Sequence, residues 1–174
     1  MHSVEARPRR LNAVVRQRRS LVGSSFTAFR GTGFWSRDVS IELGLYLLAQ
    51  EVRRLDNPPE WLRAAAEEWH LRAALGMGGC VSAGLDEHAP TPERVALVLR
   101  LAARVLAGLR ERGDVLPSAW LDSLGLGGPG ATFTRDGPTE VFTRVGKTLS
   151  ACPAARAPGT RPHRRSREWE RRTR

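Results

Sequence analysis

Lysine is almost missing from this chain: of its 28 basic side chains only Lys147 is not arginine. With abundant Ala, Gly and Leu, that bias fits a GC-rich bacterial genome, so an arginine here is no sign by itself of chosen guanidinium chemistry. Cysteine is as scarce, with only Cys80 and Cys152. Two cysteines exclude a disulfide-built scaffold, and without a secretory signal they read as free thiols in the cytoplasm. No apolar run approaches the roughly 18–20 residues of a membrane span, so no membrane partner is expected. The apolar stretch from Leu11 to Val15 is too short for a signal-peptide core and is interrupted by Asn12.

What is present is charge at the ends and apolar periodicity between them. The net charge is +10 over 174 residues. Residues 1–37 carry eight Arg against Glu5, and residues 153–174 carry eight Arg against Glu168 and Glu170. The intervening stretch holds twelve Lys and Arg against fifteen Asp and Glu, so the body is mildly acidic. Segments 1–25 and 152–174 lack a sustained apolar period and are expected to be disordered basic arms around one domain at 26–151.

The periodicity in that domain is helical. Ile41, Leu45, Leu48, Val52 and Leu55 make one stripe, and Leu43 and Leu47 lie well round from it, as in a helix covered on several sides. Asp38 is the expected N-cap. Phe26, Phe29, Phe34 and Trp35 precede this helix as an aromatic lid. Asn57-Pro58-Pro59-Glu60 predicts a second helix with Asn57 as cap and Pro58 at its first position, closed by Gly76. Thr91-Pro92 opens a third, ending at Gly113. A short helix over 117–124 and a last one begun by Asp136-Gly137-Pro138 complete the set. The expected fold is all-α, a single irregular antiparallel bundle of four to five helices.

Several motifs suggest chemistry and lack its context. Gly125 to Gly130 spells G-x-G-x-x-G, but a short helix precedes it and Pro129 removes a donor, so it reads as a glycine linker. Glu67 and His70 have carboxylate-bundle spacing without a second such pair. The long connection 76–91 places Cys80, Asp86, Glu87 and His88 together, too few and too irregular for a zinc site. Neither a metal nor a cofactor is implied.

The leading expectation is a non-enzymatic cytoplasmic interaction protein, a regulator or toxin-neutralising partner, that binds another protein. Its contacts would be Cys80, Asp86, Glu87 and His88, with Trp61 on the flank of the second helix. One alternative is nucleic-acid binding through the tail, where Arg164, Arg165, Arg167, Arg171 and Arg172 would hold phosphates and Trp169 would stack on a base. A second is a thiol enzyme at the 76–91 loop, with Cys80 as nucleophile and His88 as its base.

Overall fold

The structure is a computed structural model and describes residues 23–29, 32–76 and 81–151. The expected basic arms therefore fall outside the described residues except for 23–25, where Gly23 O accepts from the Asp38 amide and Ser24 and Ser25 belong to a strand.

The all-α expectation is overturned. Ahead of the central helix, β1 (Ser24–Phe29) pairs antiparallel with β2 (Thr32–Arg37), with Phe26 opposite Trp35 and Ser24 opposite Arg37. Six helices follow among the described residues: α1 (Asp38–Arg53), α2 (Glu60–Leu75), α3 (Leu85–His88), α4 (Pro92–Glu111), α5 (Ser118–Ser123) and α6 (Thr139–Ala151). A second ribbon joins β3 (Val115–Leu116) to β4 (Gly137–Pro138). The physical reason is that residues 24–29 alternate strictly between inside and outside, which an extended chain allows and a helix does not. The two-residue strands of the second ribbon are too short to leave a pattern.

α1 is the centre of the molecule. It packs against α2, α4, α6 and β2, and ten of its sixteen residues are buried. Ile41, Leu43, Leu45, Leu48, Ala49 and Val52 supply its apolar surface. α2 meets it through Leu62, Ala65, Ala66, Trp69 and Ala73, where the small alanines permit close approach.

Three helix starts differ from their expected chemistry. Asp38 is the first helical residue, not the cap, and its Oδ1 accepts a hydrogen bond from Ser25 Oγ at 2.6 Å. α2 begins at Glu60, with Pro59 as its cap residue; Pro58 does not open the helix because a residue preceding proline is pushed out of the helical region. Asp136 caps another helix: its Oδ1 accepts from the Ser118 amide of α5 at 2.8 Å, and α6 starts only after the β4 pairing. Gly76 closes α2 at φ 61°, and Thr91 caps α4 by accepting from the Arg94 amide, both as the sequence predicts.

The glycine motif at 125–130 has a packing role. The Gly127 amide donates to Ala73 O at 3.2 Å at the end of α2, and a Cβ at Gly128 would lie 3.1 Å from Leu75 O. Close backbone approach accounts for the glycines where the fingerprint would have required a phosphate.

Candidate binding face of the hairpin

The predicted loop contacts divide. Cys80 lies outside the described residues. Beyond it, Val81, Ala83, Leu85 and Ala89 are buried, so this half of the connection is a strap packed on the core. Trp69, fully buried, donates from Nε1 to Ala83 O at 2.8 Å and fixes the strap to α2. Asp86 and Glu87 sit on the exposed side of α3. His88 turns inward: its ring meets Trp69 edge-on at 5.9 Å. His88 Nε2 lies 2.7 Å from Glu68 Oε2. Glu68 is shared with Arg72, whose Nη1 also donates to Ser82 O at 2.6 Å. The structure thus joins His88 to Glu68, Arg72 and Trp69, while Asp86 and Glu87 face away. Trp61 is half-buried beneath the Arg94 guanidinium, 4.7 Å from its ring centroid. The tail residues Arg164, Arg165, Arg167, Trp169, Arg171 and Arg172 lie outside the described residues.

Glu67 is exposed and paired with Arg53 at 3.6 Å, whereas His70 packs beside Tyr46 at 5.7 Å. The two do not converge. Among the described residues, no group of three or more His, Cys, Asp and Glu side chains could hold a metal ion.

Two concavities flank α4. A cleft of about 470 Å³ between α1 and α4 contains Glu51, Arg54, Arg104 and Arg112. Its charges satisfy one another: Arg54 and Arg104 both pair with Glu51, and Arg112 lies 4.2 Å over the Trp120 ring. The second is an apolar void of about 40 Å³ among Thr27, Gly44, Leu45, Leu106, Phe142 and Gly146. It is close to the size of one water and too small for a ligand.

The hairpin offers the more telling surface because two of its four aromatic rings face solvent while Ser25 and Thr27 face the core. On β1 the inward residues are Ser25, Thr27 and Phe29, while Phe26 points out and is 52% exposed. Opposite it Trp35 is 71% exposed, the highest value among the exposed large apolar side chains of the described residues. Burying either ring would be worth about 1.5–3 kcal/mol, yet two hydroxyls occupy the inner face instead. The rings touch, with centroids 5.6 Å apart and planes tilted by 59°.

Phe26 lies flat across its diagonal neighbour Gly33, where a Cβ would come within 2.0 Å of Phe26 Cζ. The outer face therefore runs from small residues (Ala28 opposite Gly33), through the aromatic pair, to Ser24 opposite Arg37. Beyond it lies a concavity of about 390 Å³, which takes in Arg37, Val39, Arg135, Asp136 and Val141. The Asp136 carboxyl is held below its usual range by the Ser118 amide and hydroxyl, so it remains an acceptor turned to α5.

Sequence reasoning treated Phe26 and Trp35 as a lid and gave neither a role in binding. The missed signal is parity: Phe26 and Phe29 have opposite sense in an extended chain, so one of them must face outward. No protein-family model, no curated protein and no solved structure matches the chain.

Proposed function

We propose that this chain is a non-enzymatic cytoplasmic binding protein whose contact surface is the outer face of the β1–β2 hairpin. The observation that carries the reading is the inversion itself, with Ser25 and Thr27 inside and Phe26 and Trp35 outside. Single exposed apolar residues are ordinary, but two aromatic rings in contact on one ribbon form a patch of the kind that marks interaction sites. Trp is also the residue type that most often dominates binding energy. The cytoplasmic assignment draws on the scarcity of cysteine, and no helix among the described residues is long and apolar enough to cross a membrane.

The test replaces Trp35 with a photoreactive phenylalanine analogue in cells and places the same group at Leu71, an exposed apolar site on α2. Adducts from position 35 alone, lost on adding Phe26→Ala, are the expected result. Equal yields from both positions, or none from position 35, would refute the assignment of this face.

A further inference from the structure

We infer that the partner of this face is single-stranded RNA, whose unpaired bases stack on Trp35 and Phe26 while Arg37 and Arg135 hold the flanking phosphates. The inference rests on the hairpin being the contact surface and adds the chemistry of what it contacts. Three features converge on it. First, stacking needs an accessible ring, and Trp35 is 71% exposed beside Phe26, whose plane is tilted 59° to it. The Phe26 ring covers Gly33, and Ala28 opposite it is small.

Second, cationic residues border the aromatic face. Arg37 follows Trp35 by two residues on the same side of β2, about 7 Å along the strand. It lines the adjoining 390 Å³ concavity together with Arg135, so two guanidiniums border one hollow. Asp136 in that hollow is engaged by Ser118.

Third, the charge bordering the face is cationic: Arg37 and Arg135 line the hollow, and the Asp136 carboxylate beside them is engaged by the Ser118 amide. A neutral or basic protein surface would not be drawn to this combination; a polyanion with accessible bases would. Duplexes hide their bases in the stack, and unpaired, splayed bases belong chiefly to RNA loops and single strands.

The experiment measures fluorescence anisotropy of labelled U20 with the full chain at several salt concentrations. Variants are Trp35→Ala, Phe26→Ala, Arg37→Gln and, as an exposed apolar control, Leu71→Ala, each first shown by thermal unfolding to keep its fold. Trp35→Ala is expected to weaken binding about ten- to a hundredfold, the worth of one stacked base. Arg37→Gln should lower the slope of log affinity against log salt by about 0.7, one phosphate contact on a single strand. Leu71→Ala should bind as the parent does.

Parent-like affinity in both aromatic variants would overturn the inference, since binding would then come from arginines alone. Tighter binding of dT20 than of U20, or equal binding of a U20·A20 duplex, would also overturn it. Failure to bind U20 while position 35 still crosslinks to a protein would end this inference and leave the hairpin reading standing. An absence of adducts at position 35 would end both.

Discussion

Replacing Ser25 with alanine removes one oxygen and should loosen three elements at once. Ser25 is 2% exposed, donates to Asp38 Oδ1 at 2.6 Å and accepts from the Val81 amide at 2.9 Å. The hydroxyl thereby ties the hairpin to the start of α1 and to the strap leading into α3. A hydrogen bond to a carboxylate contributes about 1.5–3 kcal/mol, and stranding a buried amide costs about 1–3 kcal/mol. The two losses share one atom and do not add in full, so the expected destabilisation is about 3 kcal/mol. For a domain of this size that lowers the thermal midpoint by roughly 10 °C. Urea unfolding gives the free energy directly, and amide exchange at Val81 should accelerate more than exchange in the middle of α4. A loss below about 0.5 kcal/mol, the range of a neutral surface change, would refute the claim that this hydroxyl holds the hairpin.

Thr27→Val should do the opposite at a position two residues along the same strand. Thr27 is as buried as Ser25, its hydroxyl has no hydrogen-bond partner among the described residues, and it borders the apolar void, so urea unfolding should show a gain of about 1 kcal/mol. Gly44→Ala should also stabilise, by about 0.5–1 kcal/mol, because a Cβ there meets nothing within 4 Å and glycine is costly in the middle of α1. Gly146→Ala in α6 should destabilise, since its Cβ would come 2.7 Å from Leu106 Cδ2; equal thermal midpoints for the two alanine variants would contradict this account of the void. Asp136→Ala should lower stability at neutral pH, with a deficit that fades on acidification: a depressed carboxyl stabilises above its unfolded pKa and loses that contribution as pH falls through the folded one. Urea midpoints measured from neutral pH down to acid should therefore converge for parent and variant.

The helical part of the fold was legible because its signals are local. The stripe through Ile41, Leu45, Leu48 and Val52 places α1 at the centre without any knowledge of its neighbours, and Thr91-Pro92 and Gly76 mark ends through chemistry within a few residues. The hairpin was hidden by its own inversion. Apolar alternation identifies a strand only when the apolar side faces the core, and here two hydroxyl residues face inward, of which Ser25 bonds Asp38 and the Val81 amide. The strap was misread for a different reason. Val81, Ala83 and Leu85 do alternate, but what fixes them is distant in sequence: the Trp69 indole bonds Ala83 O across fourteen residues, and the Val81 amide donates to Ser25 Oγ. Asp136 likewise serves a helix that precedes it in sequence, which no rule about the residues after a cap could anticipate.

The same reasoning connects the inner and outer faces of the ribbon. Parity ties each side chain on β1 to its neighbours, so moving Phe26 inward by a one-residue slip would carry Ser25, Thr27 and Phe29 outward with it. The Ser25 hydroxyl, held by Asp38 on one side and Val81 on the other, prevents that slip and thereby keeps Phe26 and Trp35 in solvent. Exposure of the aromatic pair is consequently enforced from within the core, because a slipped register would bury Phe26 only by exposing Phe29 and breaking both Ser25 hydrogen bonds. A fold that spends buried hydrogen bonds to keep two rings outside has a use for them there, and stacking on an unpaired base is the use that the adjoining arginines favour.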